Sequence, residues 1–269
     1  MSECKVMSFN ILYGTCANSP LHKWDGRKQA VTGIIDMYKP DIIGTQEGLF
    51  WQLDYIRSVL PDYAQYGSSR NGHFDNNADE FCAILYNRNV FDLICGETFF
   101  LSDTPNVVSK LPGSAFNRIA TIIKLQFKQQ SKAQFWAVNT HLDYNSASAV
   151  RQTQAKILAK LINELNTEHL PVVLTGDFNS NSFDSVYTCF DQYSDCAEAA
   201  ESFGTLKMSS FTDFLSVKTA TKKQFGQRTH IDWIMTQKMH CARFEVGTEE
   251  PNGVKPSDHY PIMAVLQIE

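Results

Sequence analysis

The chain has no apolar run approaching the roughly 20 residues that a membrane-spanning helix needs, and its start, MSECKVMSFNILYG, has neither a basic beginning nor a long apolar core. A cytoplasmic protein with no membrane partner is therefore expected. Paired cysteines are lacking too. The seven, Cys4, Cys16, Cys82, Cys95, Cys189, Cys196 and Cys241, are scattered and odd in number with no C-x-x-C, as suits reduced thiols packed as small hydrophobes. There is no excess of basic charge: 24 basic and 29 acidic side chains give a net charge of −5, which disfavours non-specific attraction to a nucleic-acid backbone. The densest basic stretch, Lys218, Lys222, Lys223 and Arg228, reads as a solvated loop. No low-complexity linker divides the chain, so residues 1–269 read as a single domain. Its 43% hydrophobic and 20% charged content suits a sizeable globular core.

Short strand-like runs recur throughout: KVMSFNIL, DIIGTQE, FCAILYN, IATIIKLQF, FWAVNTHL, VVLTGDF, HIDWIMT and YPIMAVLQI. Helical patterns interrupt them. In AVRQTQAKILAKLINELN, Ile157, Leu158, Leu161 and Leu165 recur three and four apart, which describes one buried face. GRKQAVTGIIDMYKP and WQLDYIRSVLP read as helices stopped by Pro40 and Pro61. Neighbouring runs such as IATIIKLQF and FWAVNTHL suggest a hairpin, so the sheets should be mixed. So much strand implies two packed sheets with helices outside.

The polar residues concentrate where the strands stop. KVMSFN ends at Asn10, DIIGTQE at Glu47, FWAVNTH at His141 and VVLTGD at Asp177, while Asp258 and His259 immediately precede the last strand. The turn Gly176–Asn179 alone is ordinary punctuation, because Asp and Asn are favoured in turns. Five or six polar strand ends require a common explanation, since an unpaired buried charge is costly. If the strands are neighbours, their ends converge on one rim as a cluster of carboxylates, amides and imidazoles. Such a cluster suits a hard cation with phosphate-handling groups around it.

In that order, FNIL, TQE, NTHLDY, LTGDFNS, HIDWI and SDHYP resemble the motifs of the endonuclease/exonuclease/phosphatase superfamily of Mg²⁺-dependent phosphoesterases, most closely its bacterial branch near the poly(A)-nuclease group. The resemblance implies an α/β fold, a four-layer α/β sandwich of two packed mixed β-sheets flanked by helices, with the active site at one edge. It implies Mg²⁺, with Mn²⁺ able to substitute, held by Asn10, Glu47 and Asp258. Many relatives carry an Asp two residues after the Asn; here the position is Leu12, so the cation should keep more of its water. Asp177 would deprotonate the attacking water and Asn179 would fix that water or a phosphate oxygen. His259, backed by Asp232, would stabilise charge in the transition state, and His141 would bind phosphate. Arg118, and Arg70 and His73 in the loop SSRNGHFDNNADEF, are candidate substrate contacts. Trp233 and Phe211 are candidate stacking surfaces, although aromatic residues near strands more often belong to a core. The expected reaction is hydrolysis of a phosphate ester on a small phosphorylated metabolite or nucleotide. A nuclease is the alternative, and a non-catalytic interaction module is disfavoured because no motif residue is missing. Asp177 and His259 are expected in a wet cleft, where replacing either should change stability little.

Overall fold

The computed structural model describes residues 2–15, 22–129, 133–144, 146–201, 209–214 and 230–268. In chain order the first half runs β1 (Ser2–Asn10), α1 (Trp24–Tyr38), β2 (Ile42–Gln46), β3 (Gly48–Leu49), α2 (Phe50–Val59), β4 (Tyr63–Tyr66), β5 (Glu80–Phe81), β6 (Ile84–Asn87) and β7 (Phe91–Phe100). It continues with β8 (Ile119–Phe127), β9 (Gln134–His141), α3 (Ser148–Leu165), β10 (Val172–Asp177), β11 (Ser194–Asp195), α4 (Cys196–Glu201), β12 (Asp232–Gln237), β13 (His240–Val246) and β14 (Ile262–Ile268).

Two six-stranded mixed sheets result, ordered β13-β14-β1-β2-β6-β4 and β11-β12-β10-β9-β8-β7. At the centre of the first, β1 runs parallel to β2 and antiparallel to β14. At the centre of the second, β10 runs parallel to β9 and antiparallel to β12. The sheets face each other through a shared core that includes Cys4, Val6, Ile42, Ile123, Phe135, Val173 and Ile234. Strands alternate side chains between faces, so the other face of each sheet must also be covered. Met7, Phe9 and Ile43 lie under α1 and α2 with Val31, Ile35, Leu53 and Ile56. Val138, Val172 and Leu174 lie with Leu158, Leu161 and Ile162 of α3. The fold is thus the expected four-layer α/β sandwich.

The three longer helices lie where the apolar period around Leu158 and the stops at Pro40 and Pro61 place them, and α1 ends as Lys39 turns left-handed (φ 48°) before Pro40. The run FCAILYN is instead split, Glu80–Phe81 pairing with β3 and Ile84–Asn87 with β2 and β4. Strand β7 escaped sequence reading because its middle, from Asp92 to Glu97, is largely uncovered edge, so no apolar alternation marks it. The basic stretch at Lys218, Lys222, Lys223 and Arg228 lies outside the described residues. Among the described residues no helix is long and apolar enough to cross a membrane.

Candidate active site

Asn10, His141 and Asp177 are the last residues of β1, β9 and β10, and Asp232 is the first of β12. Register makes them neighbours: Asp177 is opposite His141 on one side and Asp232 on the other. Glu47 follows β2 in a left-handed conformation (φ 63°). Such a conformation for a non-glycine residue costs on the order of 1–3 kcal/mol and persists only where surroundings hold it. Here Asn10 Nδ2 donates to Glu47 Oε1 at 3.0 Å and the Tyr13 N–H to Oε2 at 3.2 Å. Leu12 (φ 52°) and Asn179 (φ 47°) are left-handed as well, so three of the strand-end turns at this rim share that geometry.

Of these residues, Glu47, His141, Asp177 and Asn179 border a cavity of about 620 Å³ whose walls also include Arg70, Glu80, Phe116, Arg118, Tyr144, Phe211, Asp258 and His259, while Asn10 and Asp232 are buried and do not line it. A pocket of this volume accommodates a small molecule. A second, smaller cavity of about 390 Å³ by Tyr38 and Arg243 is elsewhere on the molecule. His73 does not border the main cavity; its ring pairs with Asp79 at 3.1 Å. Trp233 is fully buried and stacked on Phe178 at 4.2 Å, so it is core. Phe211 does border the cavity, its ring 5.0 Å from that of His259.

Asn10 Nδ2 also donates to Asp177 Oδ2 at 3.0 Å, so one amide bridges two carboxylates, while its Oδ1 accepts the Leu12 N–H. Burial, then the neighbouring Asp232, raise the Asp177 carboxyl to about 6, and His259 and the donors from Asn179 and Asn10 oppose this. His259 Nδ1 is 2.8 Å from Asp232 Oδ2. Burial would discharge this imidazole, but Asp232, Asp177 and Asp258 outweigh it and hold the ring protonated well above the usual histidine range. His141 behaves oppositely: burial, then Arg118, His259 and Arg70, keep it neutral. Asn179 Nδ2 lies 2.9 Å from the Leu142 carbonyl and 3.0 Å from His141 Nε2. A neutral His141 with its proton on Nδ1 satisfies that contact.

Asp177 and His259 are only 2% and 4% exposed, so the expected wet cleft is a buried rim. Removing His259 would leave Asp232, itself 1% exposed, as an unpaired buried charge, a loss of about 3–5 kcal/mol. His259→Ala is therefore expected to lower the melting temperature by more than a small change.

Several residues at or behind the cavity wall carry no assignment from sequence. Glu80 pairs with Arg70 at 3.0 Å. Burial, then Glu47, raise its carboxyl to about 7, against Arg70 and Arg118. The Arg70 guanidinium lies 4.3 Å over the Phe116 ring, and Phe116 stacks with Tyr144 at 6.2 Å. Asp143, fully buried, receives Arg118 at 3.5 Å and Ser114 Oγ at 2.7 Å. Asp143 and Tyr144 belong to NTHLDY, so position within a motif was their one available signal. Glu80 and Phe116 sit in polar loop sequence without one.

A divalent cation fits the oxygen-rich side of this site. Glu47 is raised by burial and then by Asp258, so its carboxylate lacks a fully compensating charge, and among the described residues no Lys or Arg pairs with either. Asp177, Asp232 and His259 also bring ligand atoms within 4.8 Å of one another. There, however, the Nδ1–Oδ2 hydrogen bond already joins two of the three donors.

Residues 7–259 match the endonuclease/exonuclease/phosphatase family, and the chain belongs to that family of metal-dependent phosphate-ester hydrolases. Among solved structures it is similar to an endonuclease/exonuclease/phosphatase from Bacteroides vulgatus, 26% identical with a TM-score of 0.83 over 100% of both chains. It is equally similar to a mannosyl-6-phosphatase of Bacteroides thetaiotaomicron VPI-5482, 26% identical with a TM-score of 0.84 over 98% of this chain and 100% of that one. Mouse Nocturnin is 24% identical over 282 residues, 97% of this chain and 63% of that protein. The chain spans 67%, 53% and 63% of the length of three curated relatives it matches.

Proposed function

We propose that the chain is a Mg²⁺-dependent phosphoesterase that hydrolyses a small phosphorylated metabolite, a sugar phosphate or nucleotide, by in-line attack of water at phosphorus. The observation that carries the reading is the convergence of Glu47, Asp258, Asp177, Asn179, His141, His259 and Arg118 on one cavity of small-molecule size. Glu47 and Asp258, with Asn10 alongside, would hold the cation, which when bound supplies charge to the phosphate oxygens and Mn²⁺ would serve equally. Asp177 takes the proton of the attacking water, oriented with Asn179. The His259 imidazolium, fixed by Asp232, donates to an oxygen on which charge accumulates. Arg118 is 4% exposed, and its Nε has no hydrogen-bond partner among the described residues. That buried donor suits a phosphate oxygen. Arg70 and the Phe116 ring beneath it are suited to the remainder of the substrate.

Similarity to a mannosyl-6-phosphatase supports the small-ester reading over a nuclease, as does the net charge of −5. The test is a panel of hexose phosphates, nucleoside monophosphates and short oligonucleotides with Mg²⁺, scored by phosphate or nucleotide released. Turnover is expected on a monophosphate, with oligonucleotide binding weak at physiological salt. Nanomolar affinity for a random oligonucleotide, lost steeply as salt rises, would replace this reading with the nuclease.

The acid side of the pH profile follows from Asp177. The group accepts a proton only when ionised, and with its carboxyl raised to about 6 the ionised fraction falls tenfold per unit below that value. A bound cation lowers the value, so kcat/KM should drop with unit slope at or below pH about 6. An acid limb that persists unchanged in the residual activity of Asp177→Asn would remove Asp177 from the base role.

A further inference from the structure

Along the strands, the face between the two sheets changes character in steps. It is apolar at Val6, Ile42, Ala137 and Val173, then polar at Ser8, Gln46, Asn139 and Thr175, then ionisable or amide at Asn10, His141 and Asp177. Since strand side chains repeat every second residue, Ser8, Asn139 and Thr175 stand one step behind Asn10, His141 and Asp177, on the same face. Gln46 directly precedes Glu47. Ser8, Gln46, Asn139 and Thr175 are all at most 2% exposed and bonded together.

Asn139 is the centre. Its Nδ2 reaches across to the opposite sheet, donating to the Thr45 carbonyl at 2.7 Å and the Ala83 carbonyl at 3.0 Å. Its Oδ1 accepts from Gln46 Nε2 at 2.7 Å and Thr175 Oγ1 at 3.2 Å. Gln46 Nε2 also lies 3.3 Å from Ser8 Oγ. A Cβ on Gly44 would stand 2.0 Å from Thr175 Oγ1 and 2.7 Å from Asn139 Oδ1, so glycine is what lets the cluster close. A core of two sheets packs well with apolar residues alone. Apolar packing, though, tolerates sliding that directional bonds resist, and here the bonds join a β9 side chain to main-chain carbonyls of β2 and of the segment entering β6.

We infer that this buried polar cluster, centred on Asn139, is the positioning device of the site: it fixes the strand ends bearing Asn10 and Glu47 against those bearing His141 and Asp177. The inference rests on the proposed function, since it assigns the cluster a role toward those four groups. Outer-shell partners of metal ligands typically contribute 10–100-fold in affinity or activity, and a displacement of about 1 Å can cost about 10²-fold in rate.

The test compares Thr175→Val, nearly isosteric but without the hydroxyl, with Thr175→Ser, which keeps it, and adds Asn139→Ala. Mn²⁺ binding is measured by electron paramagnetic resonance at a temperature where each variant is folded, beside its melting temperature. Asn139→Ala should weaken Mn²⁺ binding by about 10–100-fold. Thr175→Val should weaken it by a lesser factor, and Thr175→Ser should restore the parental value. If Thr175→Val loses melting temperature while binding Mn²⁺ as tightly as the parent, the cluster is only mortar between sheets and the inference fails. A failure of Asn139→Ala to fold leaves the threonine pair to decide. Absence of Mn²⁺ binding in the parent would instead sink the proposed function itself, and the inference with it.

Discussion

Asp177→Asn should reduce turnover by about 10² to 10⁴-fold, the usual loss when a general base is removed, while the protein remains folded. The substitution keeps volume and one acceptor for the Asn179 N–H, which now bonds Asp177 Oδ1 at 2.9 Å. It also sets an amide N–H₂ against Asn10 Nδ2, which donates to Asp177 Oδ2 at 3.0 Å. One buried donor then loses its acceptor, a loss of about 1–3 kcal/mol, so a lowered melting temperature is part of the expected result and rates must be compared well below it. His259→Ala is the weaker experiment because it strands Asp232. Asp232→Asn removes the charge but leaves the imidazole in place, and should lower turnover less than His259→Ala does. If Asp177→Asn retains turnover in proportion to its folded fraction, the strand-end cluster is architecture.

Chelation should abolish turnover outright, and Mg²⁺ or Mn²⁺ should restore it. The oxygen donors of Glu47 and Asp258 suit hard cations, and a divalent charge would offset both the burial and, after it, the neighbouring Asp258 charge that raise the Glu47 carboxyl. Glu47→Gln should weaken cation affinity by at least the 10–100-fold typical of an outer-shell loss. Because a ligand that binds only the folded state stabilises it, by about 2.7 kcal/mol at a hundredfold excess over Kd, Mg²⁺ should raise the parent's melting temperature and raise that of Glu47→Gln far less at the same concentration. Equal shifts in the two proteins would move the cation away from Glu47.

Much of this site was legible in the sequence because each strand carries its chemistry at its end. Asn10, His141 and Asp177 share a face with the apolar residues four positions earlier, Val6, Ala137 and Val173, so the same period that identifies the strand aims the functional group. Glu47 breaks that parity. Ile42 and Gln46 face the second sheet, and only the left-handed turn at Glu47 itself (φ 63°) points the carboxylate back toward Asn10, a backbone event with no sequence signal beyond the motif. The substrate wall was less legible for a related reason. Arg70 and Phe116 come from irregular segments and Glu80 from a two-residue strand, too short for a period to fix direction, and the ring of His73, in the same loop as Arg70, pairs with Asp79 instead of bordering the cavity. The depth of the site is not legible because loop-edge position suggests water, whereas Asn10 and Asp232 flank Asp177, and Asp232 and Phe211 flank His259.

The central claim, cation-assisted attack of water on phosphorus at this rim, is tested most directly by hydrolysis in H₂¹⁸O of the most active monophosphate in the panel, with Mg²⁺ and with chelator. The account predicts one ¹⁸O in each inorganic phosphate released by the Mg²⁺-loaded parent, none in the alcohol, and no release under chelation. Label in the alcohol, or undiminished release in excess EDTA, would contradict it.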